Sequence, residues 1–112
     1  MTSLKERIAR QFMITKAARM IKEELDIIGI DILKKLANNG QSIIEEYLSV
    51  CSPEERKAGQ LSLKALLQMG VTIDMILDEV TRIIPELKPI IEGKPDYKKA
   101  EIQNLEKFLR DN

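Results

Sequence analysis

The residue types that most often perform catalysis are scarce in this sequence. It contains no histidine and a single cysteine, Cys51. Because histidine is the commonest general base and metal ligand, its absence removes most hydrolytic schemes. A cysteine nucleophile needs a neighbouring base or positive charge, whereas the acidic Glu54 and Glu55 follow Cys51 closely. We therefore interpret Cys51 as a structural or merely exposed thiol, and we expect a protein that is not an enzyme.

Paired carboxylates are the next candidates for chemistry, since acidic side chains from two helices can hold two metal ions. The adjacent pairs are Glu23-Glu24, Glu45-Glu46, Glu54-Glu55 and Asp78-Glu79. Helical metal centres of this kind usually include histidine, and adjacent side chains diverge by about 100° around a helix. We interpret the pairs as solvated helix faces. The isolated glycines form no phosphate-binding loop, so we expect neither a metal nor another cofactor.

The composition is that of one folded domain with no strong electrostatic preference. The 112 residues include 18 basic and 18 acidic side chains, and aromatic residues make up 4% of the chain. A chain of this length can bury a single core, so we expect one helical domain over residues 1–112. The lone cysteine and the charged first residues favour a cytoplasmic protein, and no apolar run is long enough for integral membrane association.

Apolar spacing predicts a long helix at the beginning of the chain. Ser3 and Glu6 have the form of a capping box, and Asn39-Gly40 is a helix-ending signal. The residues of one stripe recur with helical periodicity: Ile14, Ala17, Ala18, Ile21, Leu25, Ile28, Ile32 and Leu36. The stripe keeps its register across Gly29, which favours a continuous or mildly kinked helix, with a break or a short strand around Gly29 as the alternative.

Capping residues predict the later helices. Ser42 begins a short helix to about Val50, and Ser52 followed by Pro53 begins another that ends near Gly70. Thr72 begins a helix that Pro85 ends, and a terminal helix starts near residue 96. The predicted fold class is all-α: a compact bundle of about five helices with a long N-terminal helix.

The first three turns of the N-terminal helix carry a second apolar face. These turns place Leu4, Ile8 and Phe12 on a different side of the helix from the stripe. The positions that continue the stripe in these turns are occupied by Arg7 and Arg10. If the helix is continuous, these turns project beyond the bundle as a docking surface. Met13, Met20 and Ile27, spaced by sevens, widen the apolar area. The alternative is a bend near Phe12 that returns these residues to the core.

We therefore expect a non-enzymatic interaction or assembly protein, a scaffold or adaptor that binds itself, a larger protein or both. The alternative is a small regulator that binds nucleic acid. Its candidate elements are a helix-turn-helix-like hairpin at 63–77 and a basic N-terminal helix with Lys5, Arg10, Lys16 and Arg19. Nucleic acid is the less favoured partner, because the second helix of the hairpin begins with Asp74 and continues to Asp78 and Glu79.

Overall fold

A computed structural model describes residues 3–111, and their regular structure is entirely helical. The elements, in chain order, are α1 (Leu4–Ile28), α2 (Ile30–Asn38), α3 (Ile43–Val50), α4 (Pro53–Gln68), α5 (Ile73–Ile83), a 3-10 helix (Pro85–Leu87), α6 (Lys88–Ile91) and α7 (Pro95–Arg110). The predicted all-α bundle with a long N-terminal helix is confirmed. The predicted number of about five helices is too low, because the first helix divides in two and α6 is an additional short one.

The prediction of a continuous first helix across Gly29 is wrong. Gly29 has φ +98° and ψ 136°, a conformation that side chains rarely permit. Its N–H closes α1 by donating to the carbonyl of Leu25 at 2.9 Å, and its own carbonyl accepts from the N–H of Leu33 at 3.1 Å as α2 begins. The helix is therefore interrupted at this residue, although the apolar periodicity of the sequence continues through it.

The helix shows no bend at Phe12, since α1 runs without interruption from Leu4 to Ile28. Its first turn is capped by Ser3, whose hydroxyl accepts from the N–H of Glu6 at 3.1 Å. The alternative that folds the first three turns back onto the core is therefore excluded.

Side-chain caps define the start of the middle helices as predicted. The hydroxyls of Ser42 and Thr72 each accept from a first-turn N–H, at 3.0 and 3.1 Å. Ser52 forms a complete capping box, in which its hydroxyl accepts from the N–H of Glu55 and its own N–H donates to the Glu55 carboxylate. Gly70, with φ +86°, ends α4, as its position predicted.

Helix α5 is the centre of the bundle, and α1 packs along it. Two apolar clusters meet at this pair of helices, one around Leu33, Val80 and Leu87 and the other around Leu66 and Ile76. Ile21 of α1 contacts both clusters. The core thus occupies one side of α1 along most of its length and leaves the opposite side unused.

Replacing Ser52 with Ala should lower the free energy of unfolding by about 1 kcal/mol, because the hydroxyl satisfies a first-turn N–H of α4. Urea denaturation followed by circular dichroism measures the change. Ser62→Ala, at an exposed site inside the same helix, is the matched control and should leave the midpoint nearly unchanged. An equal response of the two variants would show that the cap does not stabilise α4.

Candidate interaction surface

The inner side of α1 is fixed by the core. Ala18 is fully buried and lies in the same apolar cluster as Val80 of α5, while Ile14 and Leu25 are 3% exposed. A small residue at Ala18 allows close packing between the helices. Gln11 adds a polar contact, since its amide donates to the buried carboxylate of Glu79 at 2.8 Å. These contacts fix the rotation of α1 and therefore decide which side chains face outward.

The outward side chains at the start of α1 form an exposed apolar row. Leu4, Ile8 and Phe12 are 66%, 62% and 69% exposed, and their spacing of four places them one turn apart. We call these three residues the N-terminal ridge. A shallow hollow of about 440 Å³ beside the ridge is lined by Ile8, Gln11, Phe12, Thr15, Lys16 and Arg19.

The three apolar residues spaced by sevens do not share one environment. Met20 and Ile27 are 50% and 76% exposed and extend the apolar surface beyond the ridge. Met13 is half-buried and packs against the cluster around Leu66 and Ile76. The structure therefore places Met13 in the edge of the core, because its position around the helix turns it toward the bundle.

The basic residues of α1 also divide into two groups. Lys5, Arg7, Lys16 and Arg19 are exposed, and Lys22 pairs with Asp26 at 2.7 Å. Arg10 is half-buried with its guanidinium beside Gly70, and its Nε is buried without a hydrogen-bond partner. The exposed basic side chains therefore flank the ridge, whereas Arg10 lies over the turn between α4 and α5.

The hairpin at 63–77 is part of the core. Ile73, Ile76 and Leu77 are buried along α5. The exposed Asp74 and Asp78 lie 3.0 and 3.5 Å from Nζ of Lys98 in α7. A recognition helix needs a free face with donors near its beginning, whereas the exposed face of this helix has carboxylates there.

Sequence reasoning missed a groove between α4 and α7. It has a volume of about 820 Å³, and its basic lining residues are Arg56, Lys57, Lys64 and Lys107. Leu61, which is 61% exposed, and Phe108 form its apolar part. The sequence shows that Arg56, Lys57 and Lys64 lie on one face of α4. Their proximity to Lys107 depends on the packing of two helices that are distant in sequence.

Titratable side chains from three helices meet around Cys51, which is 8% exposed. Burial raises the pKa of the Cys51 thiol, and the carboxylates of Glu24 and Glu55 raise it further, although a hydrogen bond with Tyr47 lowers it. Burial also raises the pKa of Tyr47. A thiol in these surroundings is protonated at neutral pH, so this cluster contains no activated cysteine nucleophile.

Glu101 of α7 is a buried acid, as is Glu79 of α5. Glu101 is 2% exposed and forms hydrogen bonds with the beginning of α3. Its carboxylate accepts from the N–H groups of Ile43 and Ile44 at 3.0 and 3.1 Å and from the amide of Asn104 at 3.0 Å. Burial and the negative charge of Glu101 raise the pKa of the neighbouring Tyr97 to about 12. The role of Glu101 is structural, because its hydrogen bonds satisfy helix N–H groups that α3 leaves unpaired.

Replacing Glu101 with Ala should lower the free energy of unfolding by about 2 kcal/mol, because it leaves the buried N–H of Ile44 without an acceptor and that of Ile43 with only the long bond to the Tyr97 hydroxyl. Glu101→Gln retains one acceptor oxygen and should cost less. Urea denaturation of both variants gives the comparison, with the exposed Glu106→Ala of the same helix as the control. Equal midpoints for Glu101→Ala and Glu106→Ala would contradict this structural role.

Residues 3–111 contain no cluster of three histidine, cysteine or acidic side chains that could hold a metal ion. Over the same residues, no helix has the length and apolar character needed to cross a membrane. No protein-family model, curated protein or solved structure matches this chain.

Proposed function

We propose that this chain is a non-enzymatic interaction or assembly protein that binds its partner through the outward side of α1. The observation that carries the proposal is the N-terminal ridge, in which Leu4, Ile8 and Phe12 are each more than half exposed on an uninterrupted helix. Single exposed apolar residues are common on protein surfaces, whereas an aligned row of large ones is typical of an interaction site.

The energy available from the ridge supports this interpretation. Burying one large apolar side chain contributes about 1.5 to 3 kcal/mol, so three such side chains offset a substantial part of the cost of association. Their spacing of four also forms the kind of ridge that fits between the side chains of another helix. A helix or an apolar groove is therefore the complementary shape.

The charges beside the ridge favour a partner surface with acidic residues. Lys5, Arg7, Lys16 and Arg19 are exposed on α1 around the apolar row. Charges at the edge of an interface accelerate encounter and select among partners more than they increase affinity. A protein surface with an apolar centre and acidic edges matches both features of α1.

Nucleic-acid binding is the second candidate, and the observation in its favour is the exposure of Lys5, Lys16 and Arg19. Phosphate contacts would make such binding fall steeply with salt concentration. A gel shift on arbitrary duplex DNA and RNA, repeated across salt concentrations, tests this candidate. A salt-sensitive complex that Lys16→Gln with Arg19→Gln weakens would support it, and the absence of a complex at low salt would exclude it.

The double variant Ile8→Asp with Phe12→Asp should remain folded and lose protein binding, because it places charges at the centre of the ridge. Affinity capture from native cells with the wild-type chain identifies the bound proteins, and light scattering reports self-association. Leu61→Asp is the matched control, since Leu61 is equally exposed but lies in the groove between α4 and α7.

Retention of every captured partner and of self-association by the Ile8→Asp, Phe12→Asp variant would contradict the proposal. Unfolding of this variant, measured by circular dichroism, would also contradict it, because it would assign the ridge to the core of the protein.

A further inference from the structure

The outward side of α1 has a pattern of charge and apolar residues that is complementary to itself. Beyond the first two turns, six of the exposed side chains there form one strip: Phe12, Lys16, Arg19, Met20, Glu23 and Ile27. At 100° per residue these six positions lie within an arc of about 100°. The strip has an apolar residue at each end and opposite charges between them.

Reversal of the strip about its midpoint, between Arg19 and Met20, pairs Phe12 with Ile27 and Lys16 with Glu23, and it pairs Arg19 with Met20 at the centre. Phe12 and Ile27 stand at equal distances from this midpoint, and so do Lys16 and Glu23. In an antiparallel pair of helices related by a two-fold axis at the midpoint, Phe12 meets Ile27 of the second copy and Lys16 meets its Glu23. The symmetry forms each of these pairs twice.

The charged residues of the strip are available for such contacts. In the described part of the chain, none of Lys16, Arg19 and Glu23 forms an ion pair, whereas the neighbouring Lys22 is paired with Asp26. Phe12 and Ile27 are among the most exposed large apolar side chains of these residues, at 69% and 76%. Each end of the strip therefore has an apolar side chain that no other part of the described chain covers.

We propose that the occupant of the outward side of α1 is a second copy of this chain, bound antiparallel about a two-fold axis between Arg19 and Met20. Met20 then lies next to its own counterpart at the axis, and so does Arg19, whose like-charge contact is outweighed by the two Lys16–Glu23 pairs on either side. The Phe12 and Ile27 pairs lie at the ends. A parallel arrangement brings each of Lys16, Arg19 and Glu23 to its own counterpart and forms no pair of unlike charges, so like charges oppose it more strongly. The inference rests on the proposed function and identifies the partner for the part of α1 from Phe12 to Ile27; Leu4 and Ile8 lie outside this pairing.

A charge-reversal cycle tests the pairing. Sedimentation velocity between micromolar and millimolar concentrations should show a monomer and a dimer for the wild-type chain. Lys16→Glu and Glu23→Lys should each weaken the dimer by about ten-fold or more, because each change creates two like-charge contacts. The variant that carries both changes should recover dimerisation. All four positions in the two copies are exposed, so circular dichroism should be unchanged.

Oxidative cross-linking tests the orientation. In a Cys51→Ser background, Met20→Cys should form a disulfide-linked dimer, because this position lies at the two-fold axis. Lys5→Cys in the same background is the control: an antiparallel register separates the two copies of position 5 by about 40 Å along the helices, at 1.5 Å per residue. Efficient cross-linking of both variants would contradict the antiparallel arrangement.

A wild-type chain that remains monomeric at millimolar concentration would overturn the inference, and so would a double charge variant that fails to recover the dimer. These results are separable from failure of the proposed function. If the chain is monomeric but loses a captured partner on Ile8→Asp with Phe12→Asp, the outward side of α1 binds a different protein. If dimerisation follows the charge cycle, the partner is a second copy.

Discussion

The packing of α1 along α5 is the constraint on which the rest of the structure depends. Ala18 is fully buried at this contact. About two turns earlier in α1, the amide of Gln11 donates a hydrogen bond to the carboxylate of Glu79 in α5. A helix of 25 residues is about 37 Å long, and one core supports it from one side only. Once its rotation is fixed, the remaining side chains of α1 face outward, with Phe12 and Ile27 among them.

The ionisable residues inside the bundle serve the fold. Glu101 supplies acceptors to the start of α3, and Lys98 bridges Asp74, Asp78 and Glu92. Hydrogen bonding to Asp74 and the nearby negative charges raise the pKa of Lys98. A folded-state pKa above the unfolded value stabilises the fold below the unfolded pKa, and this contribution is lost as pH rises through the folded value. These groups are occupied by structural contacts, whereas the outward side of α1 is unused by the fold.

Local signals allowed correct prediction of the elements, and non-local packing limited the rest. Caps at Ser52 and Thr72 are short-range patterns, so the starts of α4 and α5 followed from the sequence. The break at Gly29 was missed because the apolar periodicity of the sequence continues through it. The positive φ angle of Gly29, which interrupts the helix, has no signature in that periodicity. The N-terminal ridge was predictable because its three residues belong to one helix. Within a helix, the spacing along the sequence fixes the relative directions of the side chains.

The features that escaped prediction join distant segments. Glu101 contacts the start of α3 across 57 and 58 positions of sequence, and no local pattern distinguishes it from a solvated acid. The groove between α4 and α7 likewise exists only after the two helices pack. Met13 was expected on the surface but lies at the edge of the core. Periodicity gives the direction of its side chain, but it does not show how far the neighbouring helices extend to cover that side chain.

The central claim is that the outward side of α1 is where this chain meets its proposed partner, a second copy of itself. A concentration series of carbon-13 methyl spectra tests it most directly, because exposed methyl groups occur on α1 and elsewhere. Met20 and Ile27 lie in the proposed contact on α1, whereas Ile32 and Leu61 are exposed controls on other helices. The account predicts concentration-dependent shifts for the α1 methyl groups and constant positions for Ile32 and Leu61. Shifts confined to Ile32 or Leu61, or no shift at any concentration, would contradict it.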